Sequence, residues 1–258
     1  MGMKTKHTFS LYQQDNFWGI MVDGKYPLKS RKRINPLYFR DKGILEYIIR
    51  QLNKINNPNL RDGVFIDRTC RSLEFIEEVV ENGLLKKDET FWKDFVENNL
   101  KNESVFSLSK NQTLKGSQKA AYRPVHSFLE KNNLAFQEEY FDYNKMVLKN
   151  ADFIEKLNKL VFEKLNSLSV KRKCAIYYMS TYWSLFQHNT RKEKSILLTT
   201  LLFFDNTLTK EDYIKIMMCA AEEIYSGPDS ADSIYLRVLN AVIGELSDFL
   251  KYWEATDE

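Results

Sequence analysis

The residues of this 258-residue chain best suited to general-base, nucleophilic or metal chemistry are three histidines and three cysteines. They are His7, His126 and His188, and Cys70, Cys174 and Cys219. Their spacing supports none of that chemistry. No His-x-x-x-His or Cys-x-x-Cys pair exists to hold a metal. No Gly-rich loop leads into Lys-Ser/Thr, and no G-x-G-x-x-G is present to cradle a phosphate. Gly-x-Ser-x-Gly is absent, and no cysteine stands in a nucleophile context. We therefore expect no catalytic residue, no metal and no cofactor. His126 reads as a helix histidine, and His188, in FQHNTRK, reads as a helix-terminal cation. Cys174 and Cys219 fall on apolar faces and read as core. An odd, unspaced cysteine set is not a disulfide framework, which suits a reducing compartment.

Charge is the next candidate for function. The net charge of +3 conceals a gradient along the chain. Residues 1–61 carry 12 Lys+Arg against 4 Asp+Glu, whereas residues 205–258 carry 4 against 12. Such asymmetry suits a charged partner, a nucleic acid, or one half of the chain meeting the other. The densest basic run is Lys25–Asn35, KYPLKSRKRIN, with Arg31-Lys32-Arg33 at its centre. Clustered cations of this kind bind polyanions through counterion release. The flanks lack the interleaved aromatics of single-strand binders, so a solvated loop is the competing reading.

The elements that must carry these residues change character near residue 112. HTFSLYQQ and FWGIMVDGKYPLK are aromatic and β-branched, with Asp23-Gly24 as a hairpin signal. Pro27 and Pro36 confine their segments to edges or loops. Apolar spacing then predicts helices over 41–56, 73–81 and 90–99, the second stopping at Asn82-Gly83. SVFSL at 104–108 reads as a short strand, and SKNQTLKGSQ at 109–118 as a loop. Beyond it, helices are predicted over 151–168, 170–186, 191–204, 210–225 and 230–253. The first repeats Ile154, Leu157, Val161, Leu165 and Leu168 at core spacing. Thr209 with Asp212 begins the fourth as a capping-box variant, and Ser230 caps the last. The aromatics Tyr177, Tyr178, Tyr182 and Trp183 cannot all face one side of a helix. The expected architecture is α+β: a mixed strand and helix domain over 1–112, followed by a helical domain over 113–258. The longest strongly apolar stretch, SILLTTLLFF, is too short to span a membrane, which takes about 20 residues. The N-terminus has no apolar secretory core.

Four segments, in order, resemble the assembly chaperones of the F-type ATP synthase catalytic head, the ATP-twelve family. FWGIMVDGKYPLKS is similar to the family's opening hairpin, with Asp23, Gly24, Leu28 and Lys29 matching and Lys25 in place of Arg. Ser30-Arg31 replaces the family's Thr-Pro. AYRPVHSFLEKNNLAF resembles a helix that begins Trp-Asp-Pro-Leu; Pro124 matches, while Tyr122 and Arg123 depart. SLSVKRKCAIYYMSTYWSLF and KSILLTTLLFFDNTLTKEDYIKI resemble the paired C-terminal helices, without the family's Ser-Gly-Ser joint. AAEEIYSGPDSAD resembles the acidic and aromatic segment that follows, with Glu223 for its Glu, Tyr225 for its Trp, and Asp229 and Asp232 for its acids.

The resemblance implies a non-enzymatic protein that binds the unassembled α subunit and covers the surface the β subunit later takes. It implies Glu223, Tyr225, Asp229 and Asp232 as partner-binding residues, no cofactor, and a monomer when free. It implies no nucleic-acid or membrane partner, and a location in the bacterial cytoplasm or the mitochondrial matrix. The alternative function is a nucleic-acid-binding module using Lys25–Arg33.

Overall fold

The computed structural model describes residues 7–31, 35–55, 58–65, 70–186, 194–225 and 232–255, and excludes the side chains of 182–186, 221–225 and 232–238. By packing, the chain forms two compact units, 1–86 with 241–258, and 87–240. These are not the texture division at 112/113. The segment from residue 87 onward belongs with the later helices, and the C-terminal residues Phe249 and Trp253 pack with Tyr47 and Phe75.

The first unit begins with a hairpin, β1 (Phe9–Gln14) and β2 (Phe17–Val22), paired with Leu11 opposite Ile20. Asp15 turns it in the left-handed region, φ 53°. Asp23-Gly24 makes the next turn, into β3 (Tyr26–Pro27). Both residues take positive φ, 53° and 63°, as the turn requires. Lys25 N donates to Val22 O at 3.0 Å, and the Asp23 carboxylate accepts from Thr8 N at 2.8 Å. β4 (Tyr38–Phe39) also pairs with β2. The inner face of β2 buries Ile20 and Val22.

α1 (Lys42–Leu52) is capped by Asp41, whose carboxylate accepts from Gly43 N at 2.8 Å. It buries Ile44, Leu45, Ile48 and Leu52. A ribbon of β5 (Leu60–Arg61) and β6 (Val64–Phe65) turns at Asp62-Gly63. Gly63 has φ +83°, and a Cβ there would lie 2.3 Å from Pro27 O, so only glycine fits. α2 (Arg71–Glu81) stops at Asn82-Gly83 as its sequence predicts. In this unit Phe249 packs edge-on against Tyr47 and Phe75, with Trp253 beside them.

The second unit is mostly helical. α3 (Glu89–Leu100) is capped by Asp88. The run at 104–108 is not a strand. Ser104–Phe106 is a 3-10 turn, and a single parallel bridge joins Glu103 to Ser195. The loop expected over 109–118 is largely helix, because Asn111 accepts from Thr113 N and Leu114 N and starts α4 (Gln112–Lys131). The buried Gln118 accepts from Ser109 N at 2.6 Å and fixes the approach. Pro124 lies inside α4 rather than at a helix start, which removes one backbone donor from the helix.

A small ribbon follows, β7 (Phe141–Asp142) and β8 (Val147–Leu148). Then come α5 (Ala151–Asn166), α6 (Val170–Phe186), α7 (Leu197–Phe204), α8 (Lys210–Tyr225) and α9 (Asp232–Ala255). α9 runs on from this unit into the first. α7 starts six residues later than the run from Arg191 suggests; 191–193 lie outside the described residues, and Lys194–Ile196 are not helical. Seven of its eight residues are buried. Thr209 Oγ1 accepts from Asp212 N at 3.1 Å, the expected cap of α8. Ser230 lies outside the described residues. No helix among the described residues is long and apolar enough to cross a membrane.

Candidate partner-binding surface and its supports

Glu223 and Tyr225 belong to the last turns of α8, and Asp232 is the first residue of α9. Their side chains and the whole of Asp229 lie outside the described residues, so no geometry links the four. What is described is the platform that carries them. α8 buries Tyr213, Ile216, Met217 and Ala220, and Phe203 of α7 stacks on Tyr213 at 4.7 Å between centroids.

That platform rests on a buried carboxylate. Glu103 is 0% exposed. Its Oε2 accepts from Ser195 Oγ at 3.0 Å and Leu198 N at 3.2 Å. Its Oε1 accepts from Thr199 Oγ1 at 3.2 Å and Thr199 N at 3.4 Å. Ser195 Oγ in turn accepts from Leu197 N at 3.0 Å. The first N–H groups of α7 have no partner within their own helix, and Glu103 supplies one from more than ninety residues away. A negative charge also suits the positive end of the helix dipole. Burial nevertheless pushes the Glu103 carboxyl up to about 7, against the pull of its donors. At the other end of α7, Arg172 donates to Phe204 O at 3.1 Å, and Lys164 pairs with Asp205. Both ends of an otherwise apolar helix are thus held by charge of the complementary sign.

The basic run does not present Arg31 as a free cation. Arg31 Nε donates to Glu77 and its Nη2 to Glu74, both at 2.9 Å, and Arg71 pairs with Glu74 at 2.6 Å. The two glutamates are buried, at 4% and 5% exposure. Burial pushes Glu77 up to about 7, with Arg31 opposing. Lys32 and Arg33 lie outside the described residues.

The histidines and cysteines first considered for chemistry are buried or half-buried where they are described. Burial pushes the Cys70 and Cys174 thiols up to about 12, which keeps both as thiols at neutral pH. Cys219 is half-buried. His126 Nε2 donates to Val105 O at 2.9 Å, and burial lowers its pKa. His7 lies 2.7 Å from Asp23, and His188 is outside the described residues. Of the aromatics in α6, Tyr178 is buried, and Tyr177 packs against Phe91, Trp92 and Phe95 of α3. The side chains of Tyr182 and Trp183 are not described. Among the described residues, no group of three or more His, Cys, Asp or Glu is disposed to hold a metal.

The molecule is thus an α+β protein with a strand-bearing unit and a helical unit, the latter containing a charge-clamped apolar helix. Two solved structures share that fold. Atp12 from Paracoccus denitrificans superimposes with a TM-score of 0.56 at 12% identity, covering 95% of each chain. An aspartate-to-lysine mutant of P. denitrificans Atp12p superimposes with a TM-score of 0.53, at the same identity and coverage. The chain has the Atp12 fold. No family model matches it, and no curated sequence does.

Proposed function

We propose that this protein is an assembly chaperone for F-type ATP synthase. It binds the unassembled α subunit and shields its subunit interface until the β subunit replaces it. The observation that carries this reading is the likeness to Atp12 over 95% of both chains, joined to the four family-like segments in the same order along the sequence. The physical need is plain. An orphaned subunit of an obligate oligomer exposes apolar interface and aggregates. A protein that binds that surface withdraws it by mass action without fuel, cofactor or catalysis. A cap that must leave again has a modest interface, on the order of 800 Å² per partner, with a few aromatic anchors. Glu223, Tyr225, Asp229 and Asp232 form part of that contact. When free, the protein is a monomer, in the cytoplasm of a bacterium or the matrix of a mitochondrion.

Co-expression with the host's α subunit, followed by size exclusion, tests the reading. A one-to-one complex is expected, and Glu223→Lys weakens it by like-charge mismatch while leaving the fold intact. Failure of the wild type to retain the α subunit removes the proposal. Steep salt-dependent co-elution with nucleic acid would favour the basic run as the working surface instead. The ion pairs of Arg31 with Glu74 and Glu77 count against that alternative, since they already occupy a central cation of the run.

A further inference from the structure

α7 has eight residues, so the four N–H groups that no α-helix satisfies internally are half of its donors. Leu197 N donates to Ser195 Oγ at 3.0 Å, and Thr200 N donates to Ile196 O at 2.9 Å. Leu198 N and Thr199 N donate to the two oxygens of Glu103, at 3.2 and 3.4 Å. Ser195 Oγ itself donates to Glu103 at 3.0 Å. Three of the four donors therefore depend on Glu103, two directly and one through Ser195. The chain beside Glu103 is tied to the same point, since Ser195 O accepts from Ser104 N at 2.8 Å and from Ser104 Oγ at 2.7 Å. α7 in turn seats α8. Thr200 Oγ1 lies 3.2 Å from the Tyr213 hydroxyl, and Phe203 stacks on the same ring. From there α8 continues as one helix to Glu223 and Tyr225.

This arrangement suits an ionised carboxylate, because each Glu103 oxygen accepts two bonds. A proton on either oxygen turns an acceptor into a donor that faces other donors. The hydroxyls of Ser195 and Thr199 can rotate and accept it. The N–H groups of Leu198 and Thr199 cannot, so protonation weakens a backbone bond at the start of α7. Burial acts in the opposite sense, favours the proton and raises the carboxyl to about 7. The protonated form is thus the better one for the fold, and the ionised form the better one for the first turn of α7. Other ionisable groups stand on the elements packed here. α8 brings Tyr213, whose pKa burial raises, and α4 brings His126, whose pKa burial lowers. Lys194 is buried one residue before Ser195. α6 carries the buried Lys171, Arg172 at the far end of α7, and the Cys174 thiol. α3 buries Trp92, Val96 and Leu100, none of them ionisable.

We infer that Glu103 is a positioning residue for client binding: its carboxylate sets the first turn of α7, and through α7 the placement of α8, whose last turns carry the client contact. The inference rests on the chaperone reading above and adds to it a residue more than a hundred positions from Glu223. Client affinity then rises as Glu103 ionises, between about pH 6 and pH 8. The stability that this group contributes runs the other way, falling up to about pH 7 and level above it. A residue serving the fold alone would leave the affinity of a fully folded protein untouched, or would move affinity and stability together.

The experiment titrates purified ATP synthase α subunit against wild type, Glu103→Gln and Thr199→Val at about pH 6, 7 and 8. It is run at a temperature where circular dichroism shows each protein folded, and the melting temperature of each free protein is recorded. The wild-type Kd is expected to tighten roughly fivefold from pH 6 to 8, at the low end of ordinary coupling between sites. Glu103→Gln, which faces donors with an amide, is expected to bind as weakly at every pH as the wild type does at pH 6. Thr199→Val, which keeps the carboxylate and loses one donor, is expected to show a smaller loss. A Glu103→Gln affinity equal to the wild type at pH 8 overturns the inference, whatever its melting temperature, and leaves the chaperone reading standing. A pH dependence that persists in Glu103→Gln overturns it too. If Glu103→Gln does not fold, Thr199→Val decides: weaker binding at pH 8 supports the inference, and unchanged binding overturns it. Absence of wild-type capture at every pH overturns the chaperone reading, and this inference with it.

Discussion

Glu103 in the helical unit and Glu77 in the strand-bearing unit are both buried carboxyls pushed up to about 7, yet they are held in different ways. Glu103 meets only dipoles: two backbone N–H groups at the start of α7 and two hydroxyls. Glu77 meets a full positive charge, the Arg31 guanidinium, and shares it with Glu74. Neutral donors in a dry interior leave a carboxylate uncompensated in charge, though satisfied in geometry. A guanidinium offsets charge, but at Glu77 one oxygen, Oε1, is left without a partner. Neither arrangement recovers the whole desolvation cost, and so both carboxyls hold their protons more tightly than the ordinary value of 4.5.

The comparison extends to helix starts. Cys70 gives α2 no side-chain cap, and Glu245 accepts from Ser72 N and Ser72 Oγ, both at 2.8 Å, from 173 residues away. α7 is served in the same manner by Glu103. In both units a carboxylate distant in sequence completes a helix that cannot complete itself, so the cap also ties separate segments of the unit together. The cap bonds of Asp41 and Asp88, by contrast, run to the first turn of the helix that each begins.

The largest effect is expected from removing the charged centre of each unit. Glu103→Leu strips the acceptor from four donors, at about 1–3 kcal/mol each, and so destabilises by roughly 5 kcal/mol. Arg31→Met removes the guanidinium that two buried carboxylates share and costs about 3–4 kcal/mol. Hydrogen exchange read by mass spectrometry should place the first loss in residues 87–240 and the second in 1–86 with 241–258. If both variants loosen the same amides equally, the two clusters do not serve separate units.

A smaller effect follows from pH. Both carboxyls have a folded pKa above the unfolded one, so their contribution is complete below about pH 4.5. It declines as pH rises toward 7, and is level above that, a change of roughly 3 kcal/mol per group. Urea denaturation between pH 4.5 and 8 should show this decline. Glu103→Gln and Glu77→Gln should each flatten the curve by their own share, whatever they do to its height. A decline that survives both substitutions assigns it to other groups. The smallest effect is at the edge of the clamp. Thr199→Val removes one hydroxyl donor while Thr199 N still reaches Glu103, and should cost about 1 kcal/mol by the same measurement. A loss as large as that of Glu103→Leu would mean that the hydroxyl, not the carboxylate, organises the start of α7.

Much of the local structure can be read from the chain alone. The turn bond of Asp23-Gly24, the stop at Asn82-Gly83 and the caps at Asp41 and Thr209 each act through atoms within four residues, so their chemistry is written in consecutive letters, although the Asp23 carboxylate also reaches Thr8. The stripes Ile44–Ile48–Leu52 and Leu157–Val161–Leu165 are legible for the same reason, since a helix brings every third or fourth residue to one face. What is not legible depends on partners far away in the chain. SVFSL reads as a strand, but among the described residues its start meets only a single bridge, from Glu103 to Ser195, and Ser104–Phe106 closes into a 3-10 turn. The loop signals of 109–118 yield to the Asn111 cap and the buried Gln118.

The buried role of Glu103 carries no sequence signal, because a lone acid between Asn102 and Ser104 looks like any solvated residue. Ile154 is misread likewise. Its spacing is that of a core face, yet it lies half-buried beside the buried stripe of Phe153, Leu157, Val161 and Leu165. Residue order determines where helices and turns begin and end, because those events are decided by hydrogen bonds between near neighbours. The burial of Glu103 and the occupation of Arg31 were decided by packing, because desolvation and partner choice are properties of the assembled interior.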